Sequence, residues 1–108
     1  MRYESFHKRL IGAVLNGRGD TPASLRRAVL ERAQEARGAR DGLPPAIAQY
    51  VDAVARHAYK VTDADVAALQ HGGNSDDALF EITVAAAVGA ALHRLDRGMA
   101  ALRGEEPD

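Results

Sequence analysis

One glutamate and two histidines are the side chains of this sequence best suited to moving a proton. Glu81 is the single charged residue among the fourteen residues 79–92, a segment of small and aliphatic side chains. His57 lies among basic and aromatic residues, and His93 lies where the apolar segment gives way to charge. A carboxylate and an imidazole that reach one substrate can act as general acid and base. Glu81, His57 and His93 are therefore the candidate catalytic residues of an acid–base enzyme.

Two residues near His57 could hold a carboxylated substrate for such an enzyme. Arg56 offers a planar guanidinium that can bind a carboxylate through two parallel hydrogen bonds. Tyr59 adds a phenol two positions beyond His57. We predict Arg56 and Tyr59 as substrate-binding residues, on the condition that folding brings them into one cleft with the acid and the histidines.

A structural role is the competing interpretation of Glu81, and it is the one we favour. Buried acids are normally paired, so Glu81 would bond to an arginine, a tyrosine or a backbone amide of a neighbouring helix or subunit. Steps of four residues connect Glu81 with Ala85, Gly89 and His93 on one helix face. This stripe of small residues could admit a ligand or another helix. Packing within the chain and self-association both remain open for it.

The absence of cysteine removes several functional classes. No disulfide framework, thiolate metal site or thiol nucleophile can form. The histidines are 50, 14 and 22 positions apart in sequence, which gives no His-x-x-x-His pair. We therefore predict no metal site and no cofactor. His7 and His71 are interpreted as ordinary surface residues.

The charge balance disfavours nucleic acid as a partner. Fourteen basic and fifteen acidic side chains leave the chain almost neutral, so it has no net attraction to polyanions. Residues 18–40 contain six arginines, but no aromatic residue among them could stack on bases. An Arg-rich helical module that binds nucleic acid is the third hypothesis, and its candidate residues are Arg26, Arg27, Arg32 and Arg37.

No segment is predicted to act as a signal peptide or a membrane span. The first nine residues are too polar for a secretory segment. The apolar run at 79–92 is shorter than the roughly 20 residues that a bilayer requires, and it contains Glu81. We predict a soluble, cytoplasmic protein that has no membrane partner.

Hydrophobic periodicity and capping residues predict an all-α domain of about five helices and no strand. Thr21 is the predicted hydroxyl cap of the second helix, in which Arg26 should point mainly outward. Thr62 with Asp65 forms a capping-box pattern, and Ser75 or Asn74 caps the last helix. The predicted helices cover residues 3–15, 22–37, 45–59, 63–70 and 76–102. The prediction is one compact domain at 1–103 with a flexible tail at 104–108.

The segment VTDADVAALQHGGNSDDALFEITVAAAVGAALHRL resembles the carboxymuconolactone decarboxylase and alkylhydroperoxidase D family. In that family a short capped helix ends in glycine, and a Ser-acid cap then begins a long helix with the pattern acid, x, aliphatic, x, Glu, aliphatic. Residues 61–69 match the first part, and the second part is matched by Ser75, Asp76, Asp77, Leu79, Phe80 and Glu81. The similarity reaches from about residue 46 to 102. It implies an alkylhydroperoxidase D-like fold that assembles as a trimer or a hexamer. For the acid–base alternative with Glu81 and a histidine, it implies an enzyme of the decarboxylase or lactone type.

The resemblance does not carry the family's thiol chemistry with it. Peroxidase members use a Cys-x-x-Cys pair, a histidine four residues beyond it and a glutamate. If the glycine-capped segment is instead aligned with the one just after that motif, the cysteines would fall near Ala58 and Val61 and the histidine near Asp65. None of these side chains can replace a thiolate or an imidazole. The first hypothesis is therefore a divergent, non-catalytic member without thiol peroxidase activity. It would act as a homo-oligomer or as a hetero-oligomer with a Cys-bearing family member.

Overall fold

The computed structural model describes residues 2–17, 19–34 and 42–104. For residues 2 and 3 it describes the backbone alone. All regular structure in these ranges is helical, as the sequence predicts. The predicted second-helix residues Arg37 and Gly38 and the tail residues 105–108 lie outside the described part. The observed helices are α1 (Arg2–Asn16), α2 (Ala23–Gln34), α3 (Pro45–His57), a single 3₁₀ turn (Ala58–Lys60), α4 (Asp63–His71) and α5 (Asp76–Leu102).

Local capping chemistry fixes where α4 and α5 begin. Thr62 and Asp65 form a complete capping box: the Asp65 amide donates to Thr62 Oγ1 at 3.2 Å, and the Thr62 amide donates to Asp65 Oδ2 at 2.9 Å. Ser75 Oγ accepts from the Ala78 amide at 3.1 Å. Asp76 and Asp77 occupy the first turn of α5, where the helix dipole favours negative charge. The predicted caps of both helices are confirmed.

The predicted start of α2 differs from the observed one. Thr21 was expected to cap this helix with its hydroxyl, but that hydroxyl donates to Glu81. The helix begins at Ala23 instead, and the Pro22 carbonyl accepts its first backbone bonds from Leu25 and Arg26. A long-range partner for Thr21 has therefore replaced the local capping bond.

The 27-residue α5 is the central helix, and α2 is the helix that packs most closely against it. A Cβ atom at Gly89 would collide with the Leu30 carbonyl oxygen and would lie 2.8 Å from Ala33 Cβ. Ala85, Ala86 and Ala90 are also buried, so the small residues of α5 serve packing within the chain. Around them the core is completed by Val29, Ile47, Val51, Leu69, Leu79 and Ile82.

Helix α1 runs antiparallel to α5. His7 on α1 lies near Asp96, toward the C-terminal end of α5, and Gly19 beyond α1 lies near Glu81 at the other end. Leu15 is buried, whereas Phe6 remains half exposed. Helix α1 therefore covers one side of α5 and keeps part of its own apolar face in solvent.

The side of α5 that faces away from the other helices is apolar and uncovered. We call it the outer stripe; within it Phe80 is 69% exposed, Leu102 is 81% exposed and Leu95 is only half-buried. At about 100° per residue its members fall within a sector of about 80° around the helix axis. The outer stripe consists of Phe80, Val84, Ala87, Ala91, Leu95, Gly98 and Leu102.

Within the described residues α5 is also the one helix that is long and apolar enough, by length and composition, to cross a membrane. A helix of this kind occurs in the core of compact soluble proteins as well, and 39% of its most apolar window is buried inside this protein. A single such helix is weak evidence for a span, so a compact soluble protein is compatible with the structure.

Candidate functional site

The carboxylate of Glu81 is bound by the loop that joins α1 to α2. The amides of Asp20 and Thr21 donate to its two oxygens at 2.7 and 2.9 Å, and the Thr21 hydroxyl donates to Oε1. Arg26 Nη1 lies 4.0 Å from Oε1. Three hydrogen bonds occupy most of the acceptor positions that two carboxylate oxygens offer. The acid is paired, in the manner the structural interpretation predicts.

Arg26 lies beneath this loop and ties it to the end of α1. Its Nη2 donates to the Gly17 carbonyl at 2.7 Å and to the Leu15 carbonyl at 3.3 Å. The residue is only 6% exposed, so the expectation that Arg26 points outward is wrong. The reason is the need to satisfy the last carbonyls of α1, which have no partners within their own helix.

The loop passes so close to Glu81 that a side chain at position 19 would displace the carboxylate from its present position. A Cβ atom there would lie 2.5 Å from Glu81 Oε1 and 2.6 Å from Cδ and Oε2. Real Cβ contacts do not approach so closely. Gly19 therefore permits the backbone to wrap around the carboxylate and to present the two amides that follow it.

The hydrogen bonds set the ionisation of this cluster. The Thr21 hydroxyl, followed by the Asp20 amide, lowers the pKa of Glu81 below its ordinary value. Partial desolvation raises the pKa of Asp20, and the carboxylates of Asp77 and Glu81 raise it further. Glu81 is thus held as an anion at neutral pH. A group in that state is a poor general acid, and its bound lone pairs weaken it as a base.

His93 lies too far from Glu81 within the same chain for direct proton transfer. The two residues are twelve positions apart on α5, a rise of about 18 Å along the helix. Side chains of this size cannot bridge that distance. At about 100° per residue the two side chains are also about 120° apart around the helix axis, so the helix does not place them on one face. Ala85 and Gly89 between them are buried against neighbouring elements.

His57 and Tyr59 lie together at the exposed end of α3. Their rings form an edge-to-face contact with centroids 6.2 Å apart, and Tyr59 is 80% exposed. Arg94 donates to the Ala55 carbonyl at 3.2 Å, which places this end of α3 beside position 94 of α5. That position is thirteen residues from Glu81, about 20 Å along the helix. The structure brings His57 close to Tyr59 but not to Glu81.

Arg56 contacts protein groups rather than an open cleft. Its Nη1 donates to Asp52 Oδ1 at 3.2 Å, and its Nη2 lies 3.5 Å from the Arg32 carbonyl oxygen. Arg32 itself makes a two-bond pair with the same Asp52 carboxylate, at 2.8 Å for each bond. The Arg32 hydrogen bonds hold the pKa of Asp52 below its ordinary value. The Arg32–Asp52 pair therefore joins α2 to α3.

These contacts also bear on the arginines considered for nucleic acid. Arg26 is buried and Arg32 is bound to Asp52. Arg27 is exposed, and Arg37 lies outside the described residues. The four arginines do not form one exposed basic surface in the part of α2 that the structure describes.

A groove of about 250 Å³ lies between α3 and α4, bordered by Tyr50, Ala53, Val61 and Asp65 among others. None of the five predicted site residues lines it. Under the alternative alignment given above, Val61 and Asp65 would take the places of the second cysteine and the histidine of the resembled family. The Asp65 carboxylate accepts from the Thr62 amide in the helix cap, and the Tyr50 hydroxyl is bonded to Thr83 at 2.6 Å. The groove presents no thiol and no imidazole.

Sequence reasoning missed a small polar cluster around His7. His7 Nε2 lies 3.9 Å from Asp96 Oδ1, and its side chain is 23% exposed, so it is not an ordinary surface residue. Gln34 donates to the other Asp96 oxygen at 3.4 Å. Glu4, three residues before His7, lines the same cavity of about 210 Å³ and is the sequence signal that could have indicated it. No group of three or more His, Asp or Glu residues suited to a metal ion occurs in the described ranges.

Comparison with family models, with curated proteins and with solved structures found no match to this chain.

Proposed function

We propose that this protein is a non-catalytic, self-associating helical protein, a divergent member of the carboxymuconolactone decarboxylase and alkylhydroperoxidase D family. The observation that carries the proposal is the outer stripe. Exposed apolar surface that continues along a whole helix is typical of a protein–protein contact. In a chain with 5% aromatic residues and an alanine-rich core, burial against another subunit would add stabilising apolar area.

The geometry around Glu81 supports the absence of catalysis. The loop between α1 and α2 binds its carboxylate through three hydrogen bonds. His93 lies about 18 Å farther along α5, and His57 lies at the end of α3, beside position 94 of α5. The chain has no cysteine, so a thiol peroxidase cycle has no nucleophile. An acid–base enzyme built on Glu81 and a histidine would need the second group from another subunit.

The assembly that we propose is the trimer or hexamer implied by the resemblance, in the cytoplasm. A hetero-oligomer with a Cys-bearing family member is the second candidate, because the outer stripe could also cover a related helix. In that case the partner would supply the thiol chemistry and this chain would supply structure.

Light scattering on the purified chain tests self-association. We expect a mass of several subunits, and we expect Ala87→Glu to reduce it because it places a charge in the outer stripe. Ala64→Glu makes the same substitution at an exposed position of α4 and should leave the mass unchanged. A monomeric wild-type chain at all concentrations would overturn the proposal. Peroxide turnover by the purified chain would overturn the absence of thiol peroxidase activity.

A further inference from the structure

We infer that the outer stripe of one copy packs antiparallel against the outer stripe of a second copy, with a two-fold axis at Ala91. The inference rests on the proposed self-association and adds its surface, its direction and its symmetry. The occupant of the uncovered face of α5 is then the same face of an identical chain.

Size complementarity about Ala91 supports this arrangement. In an antiparallel pair centred on Ala91, residues equally distant from it on the two copies face each other. Val84 then faces Gly98 and Leu95 faces Ala87, so in these two inner pairs a branched side chain meets a small residue. Phe80 faces Leu102 at the two ends, and Ala91 meets its own copy at the centre. Alternation of large and small residues lets two helices pack closely.

Gly98 is a second, independent indication. A Cβ atom at this position would meet nothing within 4 Å, so packing within the chain does not require glycine there. Glycine in a helix interior weakens the helix relative to alanine. The antiparallel pair explains the glycine, because Val84 of the second copy would occupy the space that a side chain at position 98 would fill.

A parallel pair in register fits the same stripe poorly. It would set Gly98 against Gly98 and leave a gap, while Phe80 would meet Phe80. It would also bring the acidic first turns of the two α5 helices together, including Asp76 and Asp77 of both copies. Like charges at such a contact repel, and aligned helix dipoles add to the repulsion.

The size of the stripe sets the expected strength of the contact. Residues 80–102 span about 33 Å along α5. A strip of that length and roughly 10 Å in width buries on the order of 700 Å² over both copies, which is below the usual range for a stable interface. We therefore expect an association that depends on protein concentration. A two-fold contact also predicts an even number of subunits, so it selects the hexamer of the two assemblies proposed above, or a dimer, and excludes the trimer.

Single cysteines test the register, since the chain contains none of its own. Ala91→Cys should form a covalent dimer under mild oxidation, because the two sulfurs meet at the axis. Ala87→Cys alone should not, since its two copies are about 12 Å apart along the helices and a disulfide needs Cα atoms within about 7 Å. A mixture of Ala87→Cys and Leu95→Cys should cross-link. Ala64→Cys, at an exposed position of α4, is the control that reports random collision.

The outcomes separate this inference from the proposed function. Cross-linking of Ala87→Cys alone as efficiently as Ala91→Cys would indicate a parallel pair and overturn the inference. So would a trimer, or an oligomer in which none of these cysteines cross-link, although self-association would survive. A monomer would overturn both. A monomer that floats with vesicles of neutral phospholipid would show that lipid covers the stripe instead.

A second variant keeps the test independent of oxidation. Gly98→Ala should raise the concentration at half-association by about tenfold, because a methyl group would overpack the space for Val84. An association unchanged by Gly98→Ala, measured by light scattering across a dilution series, would also overturn the proposed register.

Discussion

The inner and outer faces of α5 each contain a glycine, but for different reasons. The inner face packs within the chain, whereas the outer face is free to contact a partner. On the inner face, Gly89 lies directly against the backbone of α2, and no side chain fits between them. On the outer face, Gly98 has open space around it. Packing within the chain requires glycine at position 89, but nothing in the isolated chain requires it at position 98.

Gly89 should therefore show the largest effect of any single substitution on this helix. Replacing it with leucine would drive a side chain into the Leu30 carbonyl and Ala33, so α2 would have to move away from α5. We expect Gly89→Leu to lower the free energy of unfolding by about 3 kcal/mol or more, measured by denaturant unfolding. The control is Gly98→Ala, studied at a protein concentration where the chain is monomeric. It should raise the stability by up to about 1 kcal/mol, since alanine is the better helix former. Equal effects of the two variants would remove the distinction between the faces.

Substitution of Arg26 tests whether the hydrogen bonds between α2 and the end of α1 also contribute to the stability of the fold. Arg26→Met keeps much of the side-chain length but removes the donors to the carbonyls of Leu15 and Gly17. We expect a loss of about 2 kcal/mol in thermal or denaturant unfolding, because buried acceptors would lose a charged donor. The neighbouring Arg27 is exposed, and Arg27→Met should change the stability by less than about 0.5 kcal/mol. If both variants behaved alike, the buried position of Arg26 would have no energetic role.

Glu81 provides the smallest effect, and pH reveals it. Its folded-state pKa lies below the unfolded value near 4.5, so the unfolded chain binds more protons in acid. The stabilisation from the Thr21 and Asp20 bonds is therefore complete above that value and is lost as the pH falls through the lower, folded-state pKa. We expect wild type to melt above Glu81→Gln at pH 7 and the two melting temperatures to converge as the pH falls below 4.5 through the lower, folded-state pKa.

The same variant, Glu81→Gln, also distinguishes a role of Glu81 within the chain from a role in assembly. The bonds of Glu81 lie within one chain, so we expect Glu81→Gln to keep the oligomeric mass of wild type at pH 7. A difference in melting temperature that stays constant from pH 7 to pH 3 would contradict the bonding described for the carboxylate. Loss of the oligomer in Glu81→Gln would assign the acid to an interface instead.

Local sequence signals predicted the helices because caps and periodicity act over a few residues. Thr62 with Asp65 and Ser75 with its acidic neighbours specify the starts of α4 and α5 through bonds that span three positions. Pro45 favours the start of α3 locally as well, through its fixed backbone angle φ and without a capping hydrogen bond. The all-helical architecture was predictable for this reason, whereas the family-specific fold remains a prediction that rests on the resemblance.

The candidate site was less predictable because its partners are distant in sequence. The bonds to Glu81 come from residues 60 and 61 positions away, and no spacing rule connects them. From the sequence, Thr21 is expected to cap the second helix, and the position of Arg26 in that helix predicts an exposed side chain. The Thr21 hydroxyl bonds to a partly buried carboxylate, and Arg26 satisfies the last carbonyls of α1.

The sequence by itself determined the absence of thiol chemistry, the helical composition and the starts of the last two helices, because each follows from residue type or from contacts within one turn. Only the tertiary structure decided that Glu81 holds a loop, that Arg26 is buried and that one face of α5 remains uncovered. These depend on which helices meet and at what distance. The close approach of α2 at Gly89 sets that geometry, and it is a property of the packed chain rather than of any single segment.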